Sequence, residues 1–511
     1  VNASGNIEKE TSNLLLQSNT FDTIWSASVT TITGGESGYD GSNDAWLLSK
    51  TGNAYGSIYQ TNTLSTGVWN ISVYMKAGTN NKGSIRLSTG GSNDIRRQVN
   101  LTTGAIATAS ASTANPIAQS ATDVGNGWWR FSFCGNMVTS TIRINIYAGD
   151  TADTTGNIYI QDAQLEQGLV ARDYIETTTT AIYGGITDNV PRLDYTDSSC
   201  PALLLEPQRT NLIDNTEYFA GYDLLGNVSL TTNYGISPEG KQNASRITGL
   251  NGAGTNDVRK QLSLNCANKT LSFSVYLKGS GTLRQQISNG VDQAHTQTIT
   301  LTSEWKRHTL TGTFNSTAVS ITYLVLDDLG ATATEYEIWG AQCEEGSYPT
   351  SYIPTYGSSV TRSYDLATTP SNTFDSLSTF TWFFEISRLG FSSDSTSAAL
   401  TLRTSSGAEQ IRCHFDFPTE QIRVRDAVNG FTTIGASINV NANTYYKICV
   451  ISDGITMKTF VNGTQRGGDY TIVTQHDVDR TYMDGKGFDC KQMLLFPTAL
   501  TDSECIALTT I

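Results

Sequence analysis

At 511 residues the chain has room for about three domains of roughly 150 residues each. Its net charge of −14 repels phosphate backbones and argues against nucleic-acid partners. No run approaches the roughly 18 consecutive apolar residues of a transmembrane helix, so no membrane insertion is expected.

Only 16% of the residues are charged, and Gly, Ser, Thr and Asn are abundant. That mixture suits short strands joined by polar turns. No apolar period of 3.6 residues is sustained, so helix content should be low. The predicted class is all-β, as three serial β-sandwich (jelly-roll) modules. They are placed at 1–175, 207–356 and 357–511, with a connector at 176–206.

The chain opens at Val1 without a charged-then-apolar leader, so a secretory signal is not expected. In GVWNISVYMKAG, Trp69, Ile71, Val73 and Met75 share one face, while Asn70, Ser72, Tyr74 and Lys76 share the other. This alternation predicts an antiparallel strand with one face on a core and one in water. TIRINIYAGD repeats the pattern with Ile142, Ile144 and Ile146. The first module then closes on NIYIQDAQLEQGLVARDYI.

The connector carries TTTT, GG, Pro191 and Pro201, then the run PALLLEP, whose Leu203–Leu205 should dock on a neighbouring surface. The second module repeats the first. Gln164, Glu166, Gly168, Tyr174 and Ile175 recur at one constant offset as Gln342, Glu344, Gly346, Tyr352 and Ile353. KTLSFSVYLKGS repeats the strand faces with Leu271, Phe273, Val275 and Leu277 inward.

The third module differs. TFTWFFEIS places Phe380, Trp382, Phe384 and Ile386 on one face. YYKICVISDG and TMKTFVNGTQRGG form a predicted hairpin, with Asp453-Gly454 and Asn462-Gly463 as turn residues. The closing KQMLLFPTALTDSECIALTTI reads as a strand and one short helical turn.

Catalytic signals are weak. The four histidines form no metal-ligand spacing, and His308 in EWKRHTLTGTF reads as a surface imidazole. No GxSxG elbow or phosphate-cradling loop occurs. Glu166 and Glu344 could suggest paired carboxylates for glycoside hydrolysis, but each ends its own module, so structural capping is the better reading. The tryptophans sit in strand contexts and default to core, although the doublet Trp128-Trp129 must turn one ring outward. The eight cysteines lack CxxC or zinc spacing and are read as mostly buried thiols of a protein folding in a reducing cytosol.

WGAQCEEGSYPTSYIPTYGSSVTRSYD and PRLDYTDSSCPALLLEPQRTNLI resemble segments of structural proteins of tailed bacteriophages. FVNGTQRGG and LLFPTALTDSECIAL resemble the hairpin and last strand of laminin-G-like folds. The resemblance covers nearly all of residues 11–511, with Cys343 standing where Leu is usual. It implies two carbohydrate-binding-module-like jelly rolls and a C-terminal laminin-G/concanavalin-like sandwich.

The implied role is a non-enzymatic virion structural protein, a head or tail fibre or decoration subunit assembled in the host cytoplasm. Other virion proteins and host-surface glycans are the implied partners, and a homotrimer the implied assembly. The alternatives are a polysaccharide-degrading tail spike and a secreted bacterial carbohydrate-binding adhesin.

Two loops of the third module are the candidate contact sites: Asp426, Asn429 and Phe431 in DAVNGF, and Asp484, Phe488 and Asp489 in MDGKGFD. Their amides, carboxylates and rings match sugar hydroxyls and ring faces, while turn chemistry alone explains the glycines and aspartates. No cofactor is expected. Calcium is the one ion that the laminin-G resemblance and the hard oxygen ligands would allow.

Overall fold

The computed structural model describes residues 7 and 9–510, apart from 53–54, 91–93, 110–111, 150–154, 185–191, 196–199, 371–372, 390–398, 417–418 and 486. Parts of the connector and Lys486 of the MDGKGFD loop thus lie outside the described residues, as does Val1. The described chain is all-β, with one α-helix of eight residues at Asp502–Thr509 and a 3-10 turn at Phe219–Gly221. No helix among the described residues is long and apolar enough to cross a membrane.

The first sandwich pairs two six-stranded antiparallel sheets. One runs Ala118–Gly125, Trp128–Met137, Gly67–Ala77, Gly156–Gln167, Ala45–Lys50, Thr30–Glu36. The other runs Ser26–Ser28, Ser57–Thr63, Thr141–Tyr147, Lys82–Ser88, Ile95–Asn100, Ile106–Thr108. Trp69, Ile71, Val73 and Met75 meet Ile142, Ile144 and Ile146 between them.

The second sandwich has two five-stranded sheets. In the first of these, Lys306–Thr313, Thr270–Gly279, Glu335–Glu345, Gln242–Thr248 and Ser229–Ile236 follow the order of their counterparts in the first sandwich. The facing sheet does likewise, running Asp223–Leu225, Asp257–Leu262, Thr322–Asp327, Thr282–Ser288, Ala294–Thr300. Two edge strands of the first copy, Ile106–Thr108 and Ala118–Gly125, have no counterpart. They come from residues 101–127, where the second copy has only 301–305 between strands.

The polar strand faces are not in water, contrary to the alternation-based expectation. Asn70 and Ser72 are buried, as are Ser272 and Ser274. The cause is the chain after each terminal strand, which folds back over the sheet. Arg130 donates to the Arg172 carbonyl (2.6 Å) and to the Ser72 hydroxyl, and Arg307 donates to the Thr350 carbonyl (2.8 Å) and to Ser274.

A third sheet pair encloses Phe380, Trp382, Phe384 and Ile386. Its eight-stranded sheet is centred on Phe488–Phe496, Thr379–Arg388 and Tyr445–Asp453, and a seven-stranded sheet faces it. The connector's PALLLEP run does more than dock. Ala202–Leu205 is a strand of the eight-stranded sheet, paired with Phe488–Phe496, and Leu205 enters the core. The chain thus visits the third sheet pair before building the second sandwich. The C-terminal helix is fixed by a capping box between Thr501 and Glu504.

The first two sandwiches meet through a backbone contact. Val68 N–H donates to the Tyr356 carbonyl at 2.8 Å. Gly67, at φ +137°, permits this approach, because a Cβ there would collide with that carbonyl oxygen.

Candidate functional site

The repeated Gln and Glu residues form one clamp, built twice. Gln164 Oε1 accepts from Ile175 N–H (2.7 Å) while its amide donates to the carbonyls of Arg172 and Asp173. Gln342 does the same with Ile353, Thr350 and Ser351. Glu166 accepts from Arg172 N–H (2.9 Å) and Glu344 from Thr350 N–H (2.8 Å). Both carboxylates are spent on the backbone and side chains of their own module's returning segment, so this geometry caps that chain.

The two loops of the third module do not converge. Asp426 ends the strand Gln421–Asp426, and Asp484 ends Arg480–Asp484. Register places Asp426 in line with Ile411, and Asp484 in line with Ala399 and His414, at opposite ends of the seven-stranded sheet. Three strand spacings, roughly 14 Å, also separate their strands.

Asp426 is fully buried. It accepts from Val428 N–H, Asn429 N–H, the Asn429 amide (2.6 Å) and His476 Nε2 (3.0 Å). Burial works against its charge, but hydrogen bonds from Asn429 and His476 win and hold its pKa below the usual carboxylate value. Asp426 and Asn429 therefore build the turn.

Phe488 is also fully buried, in the core beside Phe415, and offers no face to a ligand. Asp489 is 5% exposed on the same strand of the other sheet, and Asp484 is half-buried. Of the six candidates only Phe431 presents itself, 45% exposed at φ +59° beside Arg412. Among the described residues, no three His, Cys, Asp or Glu side chains converge as metal ligands. Asp426 spends its carboxylate on its own turn and on His476.

The other polar and aromatic candidates are also accounted for. His308 is buried, not at the surface, and burial followed by the nearby Lys306 lowers its pKa. Trp128 is the outward ring of its doublet, yet it is 1% exposed in a cluster with Tyr39, Tyr74 and Tyr159.

A cleft of about 440 Å³ lies where the first sandwich meets the second. Its polar lining is Arg97, Thr108, Asn115, Gln119, Thr232 and Asn233. Thr108 and Gln119 lie on the two edge strands peculiar to the first copy, and Thr232 and Asn233 on Ser229–Ile236 of the second. Arg97 shares a strand face with the core residues Ile95 and Val99, so its guanidinium sits between the sheet edges. It is 4% exposed and donates to Thr108 Oγ1 and, at 3.4 Å, to Asn115 Oδ1. Burial lowers its pKa from the usual arginine value. Sequence reading missed this site because Arg97 and Asn233 lie far apart in the chain and belong to no motif.

No family model and no curated protein matches this sequence. Among solved structures, the N-terminal CBM22-1-CBM22-2 tandem domain of Paenibacillus barcinonensis Xyn10C aligns over 65% of this chain and 96% of its own, at 10% identity and TM-score 0.23. A CBM4 structure aligns over 31% of this chain and 95% of its own, at 16% identity and TM-score 0.19. The CBM22-1-GH10 modules of Clostridium thermocellum xylanase 10B align over 27% of this chain, at 15% identity and TM-score 0.21. This chain spans only 28% of that xylanase structure's length. At such scores the fold assignment rests on the chain's own sheets.

Proposed function

We propose that this chain is a non-enzymatic structural and attachment subunit on the surface of a tailed-bacteriophage particle, and that the cleft between its first two sandwiches holds a host glycan. The cleft carries this reading. It is of ligand size, its donors and acceptors are amide, hydroxyl and guanidinium groups, and a few apolar residues line it beside them. The sequence resemblance to phage structural proteins supplies the particle. Modules at 1–175, 207–356 and 357–511 would run in series, the third laminin-G-like.

Trimeric association would multiply weak sites into useful avidity. Phage lacking this chain should then adsorb poorly to host cells, and the intact chain should bind a host-glycan array without releasing reducing ends. Normal adsorption together with an empty array would overturn the reading. Release of sugar products would favour the tail-spike alternative. Mass measurement at micromolar concentration tests the trimer.

A further inference from the structure

We infer that the cleft between the first and second sandwiches selects a carboxylated saccharide, with Arg97 recognising the acidic group. This rests on the glycan-binding reading above and names the ligand class of that site.

The argument begins with charge. The chain carries net −14, yet among the described residues lining this cleft Arg97 is the one charged group, and no Asp or Glu faces it. A guanidinium has five N–H donors in a planar fork matched to a carboxylate. Two donations are spent, on Thr108 and Asn115, and both hold the fork in place. The Nε–H has no partner within the protein. A nearly buried cation with no counter-charge in its lining favours an anionic partner.

The remaining lining fits a sugar ring. Asn233 Oδ1 is buried without a protein donor, so it is set to accept from a hydroxyl. Gln119 and Thr232 add amide and hydroxyl groups, and Ile106, Pro116 and Ile117 give an apolar surface for ring C–H groups. Among the described residues no aromatic ring lines the cleft. Stacking, the usual source of affinity for a neutral sugar face, is absent from this lining, so the charge on Arg97 must discriminate. The cleft is also larger than an inorganic anion needs.

The fold supports a dedicated site. The first copy departs from the repeat by adding the edge strands Ile106–Thr108 and Ala118–Gly125, and the cleft lies between them. The second copy closes it with Thr232 and Asn233. Neither sandwich completes the site alone.

The test uses the intact chain and calorimetry. The probes are oligogalacturonate, oligoglucuronate and a sialylated oligosaccharide, each beside its neutral methyl ester. At least one acidic probe should bind, with its ester about tenfold weaker or more. Arg97→Gln should remove that preference. Arg97 is buried, so Thr232→Trp is the second variant: it fills the cleft from the other sandwich and should abolish binding with Arg97 untouched.

Equal binding of acid and ester, or acid binding that survives both variants, would overturn the inference. Neutral glycans binding on the array, with these acidic probes silent, would overturn it and leave the glycan reading standing. Silence of every glycan would remove both.

Discussion

Lys9 Nζ lies 2.7 Å from Glu217 Oε1, and both side chains are buried. Lys9 precedes the first strand of the first sandwich, whereas Glu217 belongs to the second. Glu239 also pairs with Lys9 and, at 3.2 Å, with Arg172, which in turn reaches Glu166. Lys9 further sits 5.2 Å from the centre of the Trp339 ring. Burial and the neighbouring Arg172 oppose its charge, but Glu217 and Glu239 outweigh them and hold its pKa above the usual lysine value.

Removing one partner from such a network is costly, because buried carboxylates lose their counter-charge. Lys9→Met should destabilise the chain by about 3–5 kcal/mol. Lys9→Met combined with Glu217→Gln should recover a large part of that loss. Urea unfolding of the single and double variants measures both, and a single variant as stable as the parent would show that the network contributes nothing.

The duplicated clamp makes a second expectation. Gln342→Ala strands two carbonyls, of Thr350 and Ser351, and the Ile353 N–H in a buried setting. The cost should be about 2–4 kcal/mol. Gln164→Ala should cost a similar amount, since its partners are equivalent. Thermal unfolding by calorimetry compares them. A large loss at one site with none at the other would mean that the copies do not share this support.

Period-2 alternation made the cores legible: Trp69 to Met75, Leu271 to Leu277 and Phe380 to Ile386 all point inward. It could not reveal that Asn70 and Ser72 lie beneath a returning segment, because a covering chain leaves no period in the strand it covers. The placement of the loop candidates was hidden for a different reason. Asp426 and Phe488 have the chemistry of a binding loop, but Asp426 is consumed by its own turn and His476, while alternation along Phe488–Phe496 points Phe488 into the core. The cleft was illegible because its lining comes from two sandwiches, and only the tertiary fold joins Arg97 to Asn233.

A third expectation concerns oxidation. Seven of the eight cysteines are buried free thiols. Cys449 Sγ and Cys505 Sγ lie 3.1 Å apart, joining the strand Tyr445–Asp453 to the C-terminal helix. A diazene dicarboxamide oxidant that accepts two electrons and two protons should convert this pair to a disulfide. Thiol titration of the denatured protein should then show the loss of two thiols, and Cys505→Ser should prevent it. Closing a loop of 56 residues should stabilise the chain by about 3–4 kcal/mol. Retention of every thiol after oxidant treatment of the native protein would refute this pairing.

The last expectation is a pH dependence set by Asp162, which is 5% exposed and accepts from the Tyr39 hydroxyl at 2.9 Å. Burial, followed by the charges of Asp44 and Asp40, pushes its carboxyl up to about 7, against hydrogen bonds from Tyr39 and Tyr174. In the unfolded chain the same group ionises near its ordinary value of 3.8. Between these values the unfolded state has released its proton while the folded state retains it. Stability from this group is therefore present below about pH 4, declines as pH rises towards 7, and stays at its reduced level above that.

Asp162→Asn removes the ionisation and keeps an oxygen that can accept from Tyr39. It should raise stability by about 2–4 kcal/mol at pH 8 and by little at pH 4. Melting temperatures of the parent and Asp162→Asn across pH 4–8 test this directly. Curves that stay parallel over that range would mean that Asp162 is ionised in the fold throughout.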